Sequence, residues 1–399
     1  MELNSNNLLK IAQQFGTPLY VYDTQIISKQ YTQLVNAFNS NKVKFFYASK
    51  ALTNIHILNH IKLIGCNVDC SSINEVKLAL HVGFLPHQIL YTSNGIDFEE
   101  IKEAKNFGVH INIDSLSNLS KFGNQFGSDY PVGLRLRPNI MAGGNIKIST
   151  GHDKSKFGIP VDQLSDILNI VNQYNINITN LHIHTGSEVK DVEVWMKGIE
   201  VLFELVSFFP NLKSIDLGGG FKVPYKANEK GTDIELLGKS VLQAFENNNA
   251  TKHLEIWFEP GKYLVSQAGV FLTKVNVLKH TNAACFAGVD SGFNHLIRPM
   301  FYDAYHYIHN ISHPNKSLKK YAVVGNICET DTFAWDREIA EIEEGDILCF
   351  ENAGAYGFEM SSNFNSRYKP AEVMIDNGEI KLIRRRDVFE DLLSNQIPL

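Results

Sequence analysis

The chain has 399 residues, 44% of them hydrophobic, and a formal net charge of −6. That size supports a sizeable core, arranged as two or three domains or as one large barrel with an appendage. The acidic balance argues against a nucleic-acid binder, and the single basic run, Arg384-Arg385-Arg386, reads as a solvated strand or turn. No stretch approaches the roughly 20 apolar residues of a membrane span. Residues 1–7 are polar and lack the apolar core of a signal peptide, so a cytoplasmic protein is expected. The five cysteines include no Cys-x-x-Cys pair, which argues against a disulfide framework or structural zinc and favours reduced thiols.

In chain order, residues 17–23 read as a short strand after an N-terminal helix, and a helical pattern runs from Ile26 to about Phe38. A rhythm of short β-rich runs and helical stretches then begins. The runs are 43–48, 66–70, 88–92, 109–113, 132–136, 178–183, 214–217 and 255–258. Eight such units close a parallel TIM (β/α)8 barrel. An open doubly wound sheet is the alternative, but no GxGxxG opens a strand–helix turn. Past about Lys262 the pattern turns to strands at 270–278, 286–289, 321–324 and 347–350, and to a pair at 372–375 and 380–384 around Asp376-Asn377-Gly378, a hairpin turn. The expectation is an α/β chain: a barrel over 24–262 and a mostly antiparallel β-domain over 263–399, joined by the strand within 1–23.

The residues that follow the barrel runs are rich in chemistry: Lys50, Ser71, Asn94, Asp114, Arg137, His184, Gly218-Gly219-Gly220 and Glu259. Barrel enzymes carry their chemistry at this end of the strands. Lys50 is either a solvated amine or, buried in a barrel mouth with its pKa lowered, one suited to a Schiff base with an aldehyde. The glycine run is either a tight turn or a set of backbone N–H groups around a phosphate. Glu259 is either a core acid with a partner or the carboxylate that keeps a pyridinium nitrogen protonated. The turn Pro260-Gly261 offers backbone donors near a phosphate, and Lys262 a point charge for a substrate carboxylate. His184 is either a satisfied core histidine or a ring stacked on a flat cofactor. His182 shares its strand face, but no carboxylate or cysteine nearby in sequence completes a metal site, so no metal is expected.

In the β-domain, Arg298 beside Pro299 suits a bidentate carboxylate clamp. Cys328 lies among acids in Gly325-Asn326-Ile327-Cys328-Glu329-Thr330-Asp331. Nearby carboxylates raise a thiol pKa, which suits a proton donor better than a nucleophile; an inert cysteine is the alternative. A Gly- and Asn-rich loop carries the phenol of Tyr356.

Taken in order, the strings YASKA, STGHDKSKFGI, HTGS, DLGGGF, EPGK, LIRPMFYDAYH, GNICETDTF and AGAYGFEMSSNFNSR resemble the diaminopimelate decarboxylases among the fold-type III pyridoxal-phosphate enzymes. The resemblance spans Tyr47 to Arg367. It implies a barrel with an alanine racemase-like β-domain, pyridoxal 5′-phosphate as cofactor, and decarboxylation of meso-2,6-diaminopimelate to L-lysine, the last step of lysine biosynthesis. It further implies that Lys50 carries the cofactor, that His184 stacks on its ring and that Glu259 partners the ring nitrogen. Ser187, Gly218, Gly219, Gly220 and Gly261 fall where the family binds phosphate, with Pro260 and Lys262 in the same turn. Lys262, Arg298, Tyr302, Glu329 and Tyr356 match substrate contacts, Tyr356 also lying near the cofactor. Cys328 matches a proton donor that reaches the site from the other subunit of a homodimer. One departure stands out: the family usually has arginine where this chain has Lys262, so the charge is kept and the bidentate fork is lost.

Rival readings remain within reach of the same residues. Decarboxylases of ornithine or arginine take substrates whose far ends are positive, which two cations at Arg298 and Lys262 disfavour; carboxynorspermidine stays open on charge. A racemase of this fold type has arginine at the ring nitrogen, against which Glu259 argues. A non-catalytic homologue tends to lose the lysine or the thiol, and Lys50 and Cys328 are both present.

Overall fold

A computed structural model describes residues 3–140 and 155–397, so residues 149–154 of the STGHDKSKFGI string lie outside the described residues. The chain divides into two compact units. One holds Ser28–Pro224 and Lys230–Tyr263; the other holds Met1–Ile27, Tyr225–Glu229 and Leu264–Leu399. The helix Ser5–Phe15 and strand β1 (Leu19–Asp23) open the chain and belong to the latter.

The larger unit is a closed parallel barrel. Its strands are β2 (Val43–Ala48), β3 (Asn67–Cys70), β4 (Ile89–Thr92), β5 (His110–Ile113), β6 (Val132–Arg137), β8 (Ile178–Ile183), β9 (Ser214–Asp216) and β10 (Glu255–Phe258), with a two-residue β7 (Ile159–Pro160) beside β6. They run β5-β4-β3-β2-β10-β9-β8-β6, and a β5–β6 pairing closes the ring. All eight runs read from the sequence are present, with ends moved by a residue or so. The local reason is visible at several turns. A small polar residue caps the next helix, soon after the strand at Ser72, which accepts the Glu75 N–H, and Ser115, which accepts that of Asn118, and after a longer loop at Asp233, which accepts that of Leu236. Gly83 and Gly108 then end their helices in the left-handed conformation. Toward the strands' N-terminal ends, one chain of buried polar groups satisfies itself. Asn112 donates to Thr92, Asn180 to Asn112, and Ser214 to Asn180, each at 2.9 Å.

The second unit is a nine-stranded, mostly antiparallel sheet. To β1 it adds β11 (Gly269–His280), β12 (Cys285–Val289), β13 (Ile308–Asn310), β14 (Leu318–Val324), β15 (Thr332–Ala340), β16 (Ile347–Phe350), β17 (Ala371–Asp376) and β18 (Glu379–Arg384). Strand β1 lies between β11 and β17, and Leu19, Val21, Leu272, Val373 and Ile375 pack with Leu8 and Ile11 of the first helix. Asn377 and Gly378 take positive φ at the β17–β18 hairpin. Strands β13 and β15 were not expected from the sequence. The centre of β15 is Asp336-Arg337-Glu338 on an edge strand, and its outward charges break the alternation that marks a strand.

Among the described residues no helix is long and apolar enough to cross a membrane. Of the five free cysteines, Cys66, Cys70 and Cys349 are buried and Cys328 is exposed.

Candidate active site

The chemistry gathers at the C-terminal ends of the barrel strands. Strand β2 ends at Ala48, and Lys50 sits in a 3-10 turn over Ser49–Ala51. Ser49 fixes that turn by donating to the Asp69 carbonyl and meeting Glu75 Oε2, both at 2.9 Å. From the neighbouring β10, the Pro260 carbonyl accepts the Ala48 N–H at 3.1 Å. Gly261 lies so close that a Cβ there would stand 3.2 Å from that of Ala48. The turn that carries Lys50 and the Glu259–Lys262 turn are thus packed closely through Ala48 and Ala51.

The same end of the barrel holds a buried polar floor. His182 on β8, Asp216 on β9 and Glu259 just after β10 are buried, and each brings one polar atom within 4.8 Å of the others. Burial alone would raise the Glu259 carboxyl. The adjoining His182 ring, Lys50 and His184 outweigh it and hold the group below the usual carboxylate range. Burial, then Glu259, pushes Asp216 up; its Oδ1 accepts the Gly218 N–H at 2.9 Å. Asp69, also buried, is raised by burial and by Glu259 against the pull of Lys50. Arg135 on β6 faces Glu259, Asp114, Asp69 and Asp216, its pKa lowered by burial.

His184 is held by its own surroundings. The Gly219 N–H donates to its Nδ1 at 3.1 Å, so the neutral ring carries its proton on Nε2. Burial, then Lys50 and Arg135, pushes this histidine down to about 3. The glycine loop is tight for a steric reason: a Cβ on Gly219 would lie 2.2 Å from the Glu259 carbonyl oxygen, and one on Gly220 2.2 Å from that of Gly186. The loops after β8, β9 and β10 therefore touch through main chain. Ser187 is half-buried in the first of them. Lys262 does not stand free: its Nζ lies 2.8 Å from Glu188 Oε1.

Several strand-end residues singled out in the sequence are engaged in rim contacts. The Ser71 N–H donates to Glu75, Asn94 donates to Asp114, and Arg137 donates to Asn139 and the Ser155 carbonyl. Asp69, Arg135, Asp216 and Glu188 were missed. For Asp69 and Arg135 the signal was a charge inside an otherwise apolar strand. The sequence expectation that His182 has no carboxylate near it is corrected, because β9 and β10 bring two. A separate cavity of about 330 Å³ opens among residues at the strands' N-terminal ends, including Lys44, His110, Lys213 and Trp257, away from this chemistry.

In the β-unit, Arg298 is 4% exposed at the start of a short helix. Its Nη2 donates to the Tyr225 hydroxyl at 3.2 Å, and its Nη1 stands 3.4 Å from His306 Nε2. His306 Nδ1 lies 2.8 Å from the Glu351 carbonyl oxygen. Burial and Arg298 push His306 down to about 3, so its neutral ring donates from Nδ1 and accepts at Nε2. Tyr302 is raised by burial and by the nearby Tyr356, which takes a positive φ of 57°. Cys328 and Glu329 are exposed, and Asn365 clasps the cysteine, accepting its N–H at 2.9 Å and donating to Sγ at 3.1 Å.

The barrel residues fit a pyridoxal ring. Glu259 Oε1, Asp216 Oδ2, Asp69 Oδ1 and both ring nitrogens of His182 are buried and, beyond the 3.4 Å approach of His182 Nε2 to Glu259 Oε1, meet no hydrogen-bond partner among the described residues, a concentration that calls for a polar group at this point. With Lys50 and Arg135 beside them, a protonated ring nitrogen on Glu259 fits better than a divalent cation.

Comparison with known proteins agrees. Residues 24–266 match the family described as pyridoxal-dependent decarboxylase, pyridoxal binding domain. A diaminopimelate decarboxylase of Methanothermobacter thermautotrophicus is 36% identical over 97% of this chain and 93% of its own. That of Escherichia coli K12 is 34% identical over 99% and 97%. A Helicobacter pylori diaminopimelate decarboxylase solved with L-lysine superposes with a TM-score of 0.90 at 30% identity, over 97% of this chain and 98% of that one. The chain belongs to the pyridoxal-dependent decarboxylases, within the diaminopimelate decarboxylase family.

Proposed function

We propose that the protein releases CO2 from meso-2,6-diaminopimelate to give L-lysine, using pyridoxal 5′-phosphate carried on Lys50. The observation that carries this reading is the buried Glu259 carboxyl on the floor, 3.4 Å from the His182 ring, which with Lys50 and His184 holds it below the usual carboxylate range against burial. When bound, the cofactor supplies an electron sink for the pair left by the departing CO2. Glu259 keeps the ring nitrogen protonated, and neutral His184 offers a flat face without adding positive charge. Gly218, Gly219 and Gly220 with Ser187, Pro260 and Gly261 surround the phosphate. Arg298, oriented by Tyr225 and His306, takes a substrate carboxylate; Tyr302 and Tyr356 add phenols, and Glu329 takes the distal amine. Cys328 returns a proton to the carbon that lost CO2.

The exposed position of Cys328 supports a homodimer in which each chain lends its thiol to the other. In this reading residues 24–262 carry the cofactor, and 1–23 with 263–399 form the β-domain. Five free cysteines support a reducing, cytoplasmic setting.

The test is CO2 release by purified holoenzyme from the diaminopimelate isomers, ornithine, arginine and carboxynorspermidine. Preference for the meso isomer is expected, and preference for any other substrate overturns the assignment. Lys50→Ala should lose the visible absorbance of the bound cofactor.

A further inference from the structure

Lys262 is the residue whose sequence-based role sits least well with its surroundings. Resemblance offers it to a substrate carboxylate, but its amine is committed to Glu188 at 2.8 Å. The two side chains are 10% and 29% exposed, so the pair is more desolvated than a surface ion pair and correspondingly more effective.

Position gives the pair its meaning. Strands β8, β9 and β10 are consecutive in the barrel. Glu188 lies in the loop after β8, Lys262 follows β10, and the glycine loop after β9 runs between them. That middle loop is gripped on both sides by main chain. Its Gly218 carbonyl accepts the Glu259 N–H, and its Gly220 carbonyl the Val189 N–H, each at 2.8 Å. The ion pair links the outer two loops directly. Glu188 holds a φ of 62°, a left-handed backbone that is costly for a residue other than glycine and is kept where the surroundings impose it. A lone carboxylate beside a phosphate site would also repel the anion, and Lys262 cancels that charge.

We propose that Glu188 and Lys262 form a strap across the glycine loop that holds the cofactor's phosphate cradle together, making both of them positioning residues for the cofactor. The inference rests on the pyridoxal-phosphate reading above. It predicts a sign that direct substrate contact by Lys262 does not. If Lys262 served the substrate, Glu188→Gln would free it and lower KM. If the pair is a strap, Glu188→Gln loosens the cradle and weakens cofactor retention.

The experiment titrates pyridoxal phosphate into stripped wild type, Lys262→Met, Glu188→Gln and the charge-swapped pair Glu188→Lys with Lys262→Glu. Binding is read from the absorbance of bound cofactor, and folding is checked by circular dichroism. A roughly tenfold rise in Kd is expected for Lys262→Met, a smaller rise for Glu188→Gln, and recovery to within about threefold in the swapped pair. Glu188→Gln is nearly isosteric and keeps the question open to measurement if a bolder variant misfolds. Unchanged or tighter binding in Glu188→Gln overturns the strap. So does a Lys262→Met enzyme that retains its cofactor but no longer discriminates diaminopimelate from ornithine. Failure of wild type itself to bind the cofactor would instead sink the underlying reading.

Discussion

His182 Nε2 stands 3.4 Å from Glu259 Oε1, two buried groups brought together from strands on either side of β9. The contact helps hold the carboxyl below the usual carboxylate range, where burial alone would raise it. Glu259→Gln is therefore expected to lower kcat for CO2 release by about 10²- to 10³-fold, the scale seen when one preorganised electrostatic group is removed. Cofactor attachment at Lys50 should persist, read from its visible absorbance. An unchanged kcat would remove Glu259 from the chemistry.

Asp216 answers to the same carboxylate with the opposite sign. Its pKa is raised in the folded chain by burial and by Glu259. Above the unfolded value of about 3.9, the unfolded chain has released a proton that the folded chain still holds, so Asp216 costs stability there. Below that value the cost vanishes. Asp216→Asn should accordingly raise the urea midpoint at pH 7 and match wild type near pH 3.5. The gain at pH 7 is about 1.4 kcal/mol for every tenfold by which the folded carboxyl holds its proton more tightly than the unfolded one. Equal midpoints at pH 7 would show that Asp216 is ionised in the fold.

Arg298 is aimed by two neighbours rather than by its own helix. Tyr225→Phe and His306→Gln should each raise KM by about 10-fold, with kcat little changed, since a hydrogen bond to a charged group contributes about 1.5–3 kcal/mol. The neutral His306 ring, pushed down to about 3, contributes stability present in full above the unfolded value near 6.5 and lost as pH falls toward 3. Unfolding midpoints measured between pH 7 and 4 should fall less steeply in His306→Gln.

Gly219 has no room for a side chain, although its φ is not positive. Gly219→Ala would drive a Cβ to 2.2 Å from the Glu259 carbonyl and force the two loops apart. A loss of about 1–3 kcal/mol is expected from the overpacking, measured by thermal unfolding, together with weaker cofactor binding. A variant as stable as wild type would mean that the loops yield without strain.

The rhythm of strand and helix was legible because several barrel turns repeat the same local chemistry, as at Ser72 and Gly83. Strand β15 was not, since an edge strand can do without an apolar face and its central Asp336-Arg337-Glu338 looks like a loop. Lys50, His184 and Glu259 were legible as strand-end residues. Asp69 and Arg135 lie inside strands, where alternation can assign a charge to a face but not name the partners it meets across the barrel.

Chain order alone was enough for the barrel, the β-rich second unit, the glycine loop and the resemblance carried by its motifs, because these follow from local propensity and short strings. Charge was decided only by the fold. Closing the ring sets β8, β9 and β10 side by side, which brings His182, Asp216 and Glu259 within 4.8 Å and joins Lys262 to Glu188, 74 residues apart. In a buried site those neighbours determine which carboxyl is ionised and which cation is already paired, and no short stretch of sequence contains both partners.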